Sequence, residues 1–241
     1  MKVYGLIGKN IAHSFSPEYF RAKFEEENID DAIYVLFPLK EVLQIKKLIA
    51  DNPGISGLNV TIPFKTTVIE HVDFLDEAAE RIGAVNCISI YNKKLYGNNT
   101  DAEAFARTLL PFTERISNAL ILGSGGAAKA IAYALEKMDK RYDVASRTPV
   151  NKEVAYSEIV LNRYQLVVNT TPLGMNPLVK EIPNLNLEDI NKDHIVYDLN
   201  YNPTPTKLME ECEIRGATVK DGLEMLHTQA DLSWEIWQNL S

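Results

Sequence analysis

Two short segments each place small polar side chains ahead of one ionisable group. The first is Asn59-Val60-Thr61-Ile62-Pro63-Phe64-Lys65, which ends in a lysine, and the second is Asn98-Asn99-Thr100-Asp101, which ends in an aspartate. Along the first segment apolar and polar residues alternate, so an extended strand would bury one set and present the other on the opposite face. A lysine at the end of such a polar face is a candidate for proton transfer.

Lys65 is predicted to lie where the strand, ended by Pro63, gives way to a helical run over Thr66–Val72. A cation in a first helical turn faces the positive end of the helix dipole, which disfavours the ammonium form. Surface lysines usually avoid that place, whereas a lysine that transfers protons can use it. A solvated lysine after a strand is the alternative that these residues leave open.

The segment His13-Ser14-Phe15-Ser16-Pro17-Glu18 predicts a helix start, with Ser16 as the N-cap and Pro17 as the first helical residue. Two hydroxyls at the N-terminus of a helix also suit a carboxylate. We therefore expect a small polyhydroxy acid as the ligand. Its carboxylate would lie at Ser14 and Ser16, and its hydroxyls would lie against Asn59, Thr61 and Asn86.

A glycine-rich segment, Gly123-Ser124-Gly125-Gly126-Ala127-Ala128, directly follows an apolar strand and directly precedes a helical run to Met138. In this context it predicts a dinucleotide site, because glycines let the backbone approach a pyrophosphate that the helix N-terminus holds. Ala128 stands at the position of the third glycine, a change that the fingerprint allows. A turn that needs glycine only for tight packing is the alternative.

The end of the next strand indicates which dinucleotide is bound. An NAD site usually carries a carboxylate there for the ribose 2′-hydroxyl, whereas an arginine accommodates a 2′-phosphate. This chain has Ser146-Arg147-Thr148 at that strand end, and its nearest acid, Asp143, comes near the strand start. The Arg147 guanidinium suits a phosphate, so the predicted cofactor is NADP. A solvated loop arginine is the alternative.

Composition excludes several classes of protein. The chain has 241 residues, 46% hydrophobic and 24% charged, with a formal net charge of -8. The acidic balance and the absence of a Lys/Arg-rich run argue against nucleic acid or a membrane surface as the partner. Residues 1–20 lack a signal-peptide core and no apolar run approaches a membrane span, so we expect a soluble, cytoplasmic protein. Cys87 and Cys212 lie far apart and the histidines are scattered, so no metal site is predicted.

Strand-like and helix-like patterns alternate along the chain, which predicts an α/β fold with a parallel sheet. The strands predicted in the first hundred residues are Lys2–Gly8, Ala32–Pro38, Gly57–Ile62 and a hairpin of Val85–Tyr91 with Lys94–Gly97. The helices predicted there are Pro17–Asn28, Lys40–Ala50 and Leu75–Ile82. A helix over Ala102–Leu110 follows, and then strands near Asn118–Gly123, Tyr142–Ser146, Gln165–Asn169, His194–Leu199 and Ala217–Lys220.

Taken together, the motifs resemble the shikimate dehydrogenase family, in chain order. Those in the first half are Ser14-Phe15-Ser16-Pro17, Asn59-Val60-Thr61 with Pro63 and Lys65, Gly83-Ala84-Val85-Asn86, and Asn99-Thr100-Asp101. Those in the second half are Gly123-Ser124-Gly125-Gly126-Ala127, Arg147-Thr148, Asn169-Thr170-Thr171-Pro172-Leu173-Gly174-Met175, Asp198-Leu199-Asn200-Tyr201-Asn202-Pro203, and Gly222-Leu223-Glu224-Met225-Leu226 followed by Gln229-Ala230. The matches extend from the first strand to the last helix.

The resemblance implies two lobes and an activity. Residues 1–101, completed by a C-terminal helix over 222–241, would form a substrate-binding and catalytic lobe, and residues 102–221 an NADP-binding Rossmann lobe. The activity implied is the reversible, NADP-dependent reduction of 3-dehydroshikimate to shikimate, a step of chorismate and aromatic amino acid biosynthesis. We expect an enzyme with a small-molecule substrate, acting as a monomer or homodimer.

The resemblance also implies roles for single residues. Lys65 and Asp101 would be the catalytic pair, and which of the two is the formal base stays open. Substrate would be bound by Ser14, Ser16, Asn59, Thr61, Asn86, Tyr201 and Gln229. The cofactor would be bound by Gly123, Ser124, Gly125, Gly126, Ala127, Ser146, Arg147, Thr148, Lys152, Asn169, Thr170, Gly222 and Met225.

The segment after Arg147 departs from the family pattern. The family has a second basic residue there, whereas this chain has Asn151, with Lys152 one place later. Only Pro149–Glu153 separates the loop from the next strand-like segment, Val154–Ile159, and five residues cannot contain a crossover helix. We therefore expect a Rossmann lobe trimmed on one face, with the adenosine side of the cofactor more exposed to solvent.

Two other functions fit parts of the pattern. A quinate/shikimate dehydrogenase using NAD or NADP would share the fold, the lysine and the aspartate. A non-catalytic, ligand-binding regulator on the same fold would be expected to lose Lys65 or Asp101 first, because proton transfer is needed only for turnover. Both residues are present.

Overall fold

The computed structural model describes residues 1–239 of the chain. The contacts between residues divide it into two compact units. Unit 1 consists of Met1–Asp101 and the residues from His227 on, and unit 2 consists of Ala102–Leu226. The sequence predicted lobes of 1–101 with 222–241 and of 102–221; the substrate and cofactor roles of the two parts stay predictions at this point. Positions 240 and 241 of the predicted last helix lie outside the described residues.

Unit 1 is built on a mixed sheet covered by helices. Its strands are β1 (Lys2–Gly8), β2 (Ala32–Pro38), β3 (Ile55–Val60), β4 (Phe74–Leu75), β5 (Cys87–Tyr91) and β6 (Lys94–Asn98). Its helices are α1 (Ser16–Glu26), α2 (Ile45–Asp51) and α3 (Glu77–Ile82), with 3₁₀ helices at Val42–Gln44 and Thr67–His71. In the described residues the sheet order is β2-β1-β3-β5-β6-β4. Strands β2, β1 and β3 are parallel, and the β5–β6 hairpin adds to β3 in the antiparallel sense.

Aromatic packing attaches the last helix, α7 (Leu223–Asn239), to the sheet of unit 1 from residue 227 on. Trp237 stacks on Tyr4 of β1 with ring centroids 4.8 Å apart, and Trp234 meets the same ring edge-on at 5.1 Å. Phe20 and Phe24 of α1 complete this cluster. Burying rings of this size contributes several kcal/mol, so this part of α7 is an integral part of the unit 1 core.

Unit 2 is built on a parallel sheet. Its strands are β7 (Asn118–Leu122), β8 (Arg141–Ser146), β9 (Val154–Ala155), β10 (Leu166–Asn169), β11 (Ile195–Asp198) and β12 (Thr218–Lys220). Its α-helices are α4 (Asp101–Leu109, whose first residue belongs to unit 1), α5 (Gly126–Lys137) and α6 (Lys207–Glu213), with 3₁₀ helices at Leu110–Arg115, Tyr156–Glu158, Leu161–Arg163 and Leu187–Asp189. The order among the described residues is β12-β11-β10-β7-β8-β9. Every printed pairing in it is parallel, which confirms the predicted α/β class with a parallel, Rossmann-type sheet.

The connection from β8 to β9 is the shortened one. It consists of residues 147–153, which contain no helix, although parallel neighbours usually need a crossover of a dozen or more residues. The pairing explains how this is possible. Strand β9 pairs only with Ala145 and Ser146, so the chain returns along β8 by about two residues, or roughly 7 Å, rather than by a whole strand.

Several predicted bounds are wrong for local reasons. The strand predicted over Gly57–Ile62 is Ile55–Val60, and the segment predicted over Val154–Ile159 forms only two strand residues before a 3₁₀ turn. The helix predicted from Leu75 begins at Glu77, because Asp76 caps it by accepting a hydrogen bond from the Ala79 N–H at 2.6 Å. Among the described residues, no helix combines the length and apolarity that crossing a membrane requires.

Candidate active site

Lys65 and Asp101 form a tight ion pair in unit 1. Lys65 Nζ lies 2.6 Å from Asp101 Oδ2, and the two side chains are 17% and 7% exposed. The electrostatic reason predicted for Lys65 is wrong, because the run after it is a five-residue 3₁₀ helix, Thr67–His71, with Thr66 at the N-cap position. Lys65 therefore precedes that helix, and the charge beside its ammonium group is the Asp101 carboxylate. A pair so shielded from water is held together more strongly than a surface pair.

Asn86 holds the other oxygen of the Asp101 carboxylate. Its Nδ2 donates to Asp101 Oδ1 at 2.9 Å and to Thr100 Oγ1 at 2.8 Å, while its Oδ1 accepts from the Thr100 N–H at 2.7 Å. The Asp101 N–H also donates to Asn99 Oδ1 at 3.1 Å. The carboxylate is thus fixed by Asn86 on one oxygen and by Lys65 on the other, so its orientation is set before any ligand binds.

Asn59 belongs to the same buried network. Its Oδ1 accepts from the Tyr34 hydroxyl at 2.9 Å, and its Nδ2 donates to Ser233 Oγ at 2.9 Å and to the Asn86 carbonyl at 3.3 Å. Burial raises the pKa of Tyr34 well above its usual range, which keeps the phenol protonated as a donor. Both N–H groups of the Asn59 amide are therefore used inside the protein, and Asn59 positions the polar strand end.

Sequence reasoning missed three members of this network. Tyr34 lies on β2, Thr100 immediately precedes Asp101, and Ser233 lies on α7 with none of its surface exposed. Ser233 accepts from Asn59 and donates to the Gln229 carbonyl at 2.8 Å. A serine beside Trp234 on the apolar side of a helix was the available signal, because a buried hydroxyl needs a partner.

The serines of the N-terminal motif lie at the start of α1, but their arrangement differs from the predicted one. The helix begins at Ser16, so Ser16 is not the N-cap; that position is occupied by Phe15, which makes no side-chain cap. Ser14 Oγ instead accepts from the Ser16 N–H at 3.2 Å, and the two hydroxyls lie 3.2 Å apart. Thr61 follows β3, and its hydroxyl has no hydrogen-bond partner within residues 1–239, which leaves it available to a ligand.

Gln229 joins the network from α7, whereas Tyr201 belongs to unit 2. Gln229 Oε1 accepts from Asn86 Nδ2 at 3.4 Å, and its carbonyl accepts from Thr100 Oγ1 at 3.1 Å. Tyr201 follows β11, is half-buried, and has a pKa raised by that burial. The structure therefore brings Gln229 together with Asn86 and Asp101, and the substrate role implied for Tyr201 stays a prediction.

The glycine-rich loop of unit 2 connects β7 to the N-terminus of α5. Gly123 has φ +106°, a conformation that strongly favours glycine, and a Cβ there would lie 2.8 Å from Thr170 Oγ1. Gly125, the N-cap of α5, has an ordinary extended conformation, and no atom of the described residues lies within 4 Å of where its Cβ would be. Neither strain nor packing requires glycine at 125, and the open space would admit a phosphate to the first-turn N–H groups, so the predicted role of Gly125 stays a prediction.

Sequence comparison identifies the family. The profile of the shikimate dehydrogenase substrate binding domain matches residues 6–88. The shikimate dehydrogenase (NADP(+)) of Clostridium botulinum strain Hall is 38% identical over 252 residues, covering 98% of this chain and 96% of that relative. The chain belongs to the shikimate dehydrogenase family.

Solved structures agree with this assignment. A shikimate dehydrogenase in complex with NADP+ superimposes with a TM-score of 0.90 at 34% identity, covering 100% of this chain and 91% of the other. The enzyme of Thermus thermophilus, in complex with NADP(H) and shikimate, gives a TM-score of 0.89 at 28% identity, covering 100% and 94%. Fold and sequence therefore agree along the whole chain.

Three predicted cofactor residues of this family member, Asn169, Thr170 and Gly222, lie near the carboxyl ends of β10 and β11, and a fourth, Met225, lies on α7. Asn169 is fully buried and uses its whole amide inside the unit: Oδ1 accepts from the Thr171 N–H, and Nδ2 donates to the Leu173 carbonyl and to Asp198 Oδ1. Burial raises the pKa of Asp198. A Cβ on Gly222 would lie 2.0 Å from the Leu199 carbonyl oxygen. Thr170, beside Gly123, and the buried Met225 complete the set.

The remaining predicted cofactor residues lie at the end of β8 and on the short connection that follows it. Arg147, Thr148 and Lys152 are exposed, and within the described residues no carboxylate pairs with Arg147. Ser146 is buried, and its hydroxyl donates to Glu153 Oε2 at 2.6 Å. Sequence reasoning missed Glu153, because it lies seven positions from Ser146 and is brought back only by the short loop.

Proposed function

We propose that this chain catalyses the reversible, NADP-dependent reduction of 3-dehydroshikimate to shikimate. The observation that carries the proposal is the Lys65–Asp101 pair, 2.6 Å apart, shielded from solvent and held by Asn86. The relatives named shikimate dehydrogenase (NADP(+)) cover 98% of this chain, so the resemblance includes both the site in unit 1 and the parallel sheet of unit 2. A regulator that has lost turnover would not need to keep such a pair fixed.

The pair supplies the proton of the reaction. Reduction of a ketone needs a proton on the carbonyl oxygen, and oxidation of the alcohol needs that proton removed. We place this proton on the Lys65–Asp101 pair, with Asp101 holding the Lys65 ammonium in position through Oδ2. The cofactor, when bound, would supply the hydride as NADPH in the reduction and accept it as NADP+ in the oxidation. The hydrogen bond from Asn86 fixes the Asp101 carboxylate, which in turn holds the Lys65 ammonium group. The proton is therefore held in one position before the reaction, and this preorganisation favours its transfer.

The substrate is bound by hydroxyls and amides in unit 1. Shikimate is a small acid with three hydroxyls, so it needs donors for its carboxylate and mixed donors and acceptors for the ring. We propose that Ser14 and Ser16 bind the carboxylate, and that Thr61, Gln229 and the side-chain oxygen of Asn86, which can accept a second hydrogen bond, bind ring hydroxyls. Asn59 holds this part of unit 1 in place through its hydrogen bonds with Tyr34, Asn86 and Ser233.

The cofactor is bound by unit 2. The open space at Gly125 and the uncapped first turn of α5 fit the pyrophosphate, with Gly123, Ser124, Gly126 and Ala127 shaping the loop. Arg147, Thr148 and Lys152 are the groups that fit a 2′-phosphate. Thr170 and Gly222 lie near the carboxyl ends of the central strands, where nucleotides bind in this class of sheet, and Met225 follows Gly222 in the first turn of α7.

Initial rates test the proposal directly. The purified chain is given shikimate with NADP+ and, in parallel, quinate with NADP+, and formation of NADPH is followed. We expect turnover of shikimate that depends on Lys65, together with unchanged binding of NADP+ to the Lys65→Ala variant by calorimetry. Binding of shikimate without turnover by the unmodified protein would refute the proposal and favour a regulator. Faster turnover of quinate would favour the broader quinate/shikimate activity.

Two predictions from the sequence accompany this function. We propose that the enzyme works in the cytoplasm, which cell fractionation would test. We also propose that it is a monomer or a homodimer, which sedimentation equilibrium would decide.

A further inference from the structure

A carboxylate lies beside the end of β8, although no Asp or Glu stands at that strand end in the sequence. Glu153 Oε2 accepts from the Ser146 hydroxyl at 2.6 Å and from the Val150 N–H at 3.3 Å. Ser146 is the last residue of β8. In Rossmann-type units the end of this strand is the place where the ribose of the adenosine is recognised, and an acid there accepts from the 2′-hydroxyl.

The shortened connection is what brings Glu153 there. Val154 pairs with Ala145 and Ala155 pairs with Ser146, so the residue just before β9 returns beside the end of β8. A crossover helix of ordinary length would lead the chain away from this strand end before returning it. The short loop therefore brings Glu153 to the strand end. In other dinucleotide sites, an acidic residue of the strand itself occupies that position.

The charges around the strand end are mixed. Glu153 is half-buried, and its second oxygen, Oε1, has no hydrogen-bond partner in residues 1–239, nor does a lysine or arginine of that range pair with it. Arg147 and Lys152, the groups suited to a phosphate, are exposed on the same short loop. One anionic group and two cations therefore surround the place where NADP and NAD differ.

We propose that Glu153 sets the cofactor preference of this chain, an inference that rests on the NADP site proposed for unit 2. Its carboxylate accepts from the ribose 2′-hydroxyl of NAD and repels the 2′-phosphate of NADP. Arg147 acts in the opposite direction. The chain therefore discriminates between the two cofactors less than its arginine alone would give, and it uses NAD as a second cofactor.

Binding of nucleotide fragments tests this without turnover. Adenosine 2′,5′-bisphosphate and ADP are titrated calorimetrically into the unmodified protein and into Glu153→Gln, which keeps an acceptor for Ser146 but removes the charge. We expect the variant to bind the bisphosphate about three- to tenfold more tightly, as removal of one nearby charge in a largely aqueous setting allows, and ADP no more tightly. The ratio of kcat/KM for NADP+ over NAD+ should rise by a similar factor.

Glu158→Gln is the matched control. Glu158 is exposed, lies five positions away and accepts only from the Ala155 N–H, so the same loss of charge should leave both affinities unchanged.

Equal weakening of the binding of both fragments by Glu153→Gln would show that Glu153 only supports the loop. No change in either affinity would show that Glu153 has no part in recognition. Failure of the unmodified protein to bind either fragment would overturn the site itself. Since neither fragment needs shikimate, these outcomes are separate from failure of the proposed reaction.

Discussion

Around Lys65 and Asp101, buried polar side chains are hydrogen-bonded to one another, whereas the charged side chains at the end of β8 are exposed to solvent. Asn59, Asn86, Thr100 and Asp101 are each at most 6% exposed, and each bonds to another member of the network. Arg147 and Lys152 are exposed, and within the described residues neither has a carboxylate partner. The first region is rigid because each group that moves would leave another unsatisfied.

This difference indicates which properties of the enzyme can change easily. In the buried network, loss of one group costs the full desolvation penalty of its partner, so few substitutions are tolerated. At the end of β8, a gained or lost charge acts through water and is worth less. We infer that the chemical step is fixed by the fold of unit 1, whereas cofactor preference can be tuned by exposed residues of unit 2.

The largest expected effect comes from breaking the catalytic pair. Lys65→Ala should lower kcat by about 100-fold or more with little change in the KM for shikimate, because an acid–base group acts mainly in the transition state. Asp101→Asn should have a similar effect, and the double variant should lose less than the two single losses combined. Steady-state kinetics at saturating cofactor measures all three.

Lys94→Ala is the control for that experiment. Lys94 pairs with Asp73 at 2.7 Å in the same unit, but the two side chains are 54% and 32% exposed. Its loss should leave kcat unchanged and have little effect on stability, because solvent screens an exposed pair. A kcat near normal in Lys65→Ala would show that this lysine has no part in the mechanism. The Lys65–Asp101 pair would then be no more important for catalysis than the Lys94–Asp73 pair.

The next effect compares two buried serines of unit 1. Ser233→Ala leaves one of the two N–H groups of the Asn59 amide without an acceptor, so it should lower the free energy of unfolding by about 1–3 kcal/mol. The Ser89 hydroxyl is buried without a hydrogen-bond partner in the described residues, so Ser89→Ala should be neutral or slightly stabilising. Urea unfolding of both variants measures the difference. Equal losses would mean that the network adds nothing beyond packing.

The sequence predicted some residues and elements of the two regions and missed others. It placed β1 and β2 at their observed bounds, because a strand between turn residues has a clear apolar pattern. It selected Lys65 and Asp101 together, 36 residues apart, through the family resemblance rather than through spacing. It did not use the one signal for Ser233, a hydroxyl beside Trp234 on the apolar side of α7. It could not find Glu153, because the position of this residue depends on how far the chain returns along β8.

Arg147 provides the test of the exposed region. Arg147→Ala should weaken NADP+ by about 1–2 kcal/mol, less than a buried charged hydrogen bond would, since solvent screens the exposed guanidinium. NAD+ binding should be nearly unchanged, because NAD lacks the 2′-phosphate. Arg163→Ala, an exposed arginine of the same unit, serves as the control and should affect neither cofactor. Equal weakening of both cofactors would show that Arg147 supports the loop rather than contacting the 2′-phosphate.

Salt should produce the smallest effect and the most direct contrast between the two regions. The Debye length falls from about 10 Å at 0.1 M to about 3 Å at 1 M, so the exposed charges of the β8 loop are screened whereas the buried pair is screened much less. Raising the chloride concentration should therefore increase the KM for NADP+ several-fold, increase the KM for NAD+ less, and leave kcat nearly constant. In Arg147→Ala the difference between the two responses should shrink, because one of the two cations proposed to bind the 2′-phosphate is gone. Parallel responses in the unmodified enzyme would mean that the 2′-phosphate is shielded from solvent, and the exposed loop could not then be the element that distinguishes the cofactors.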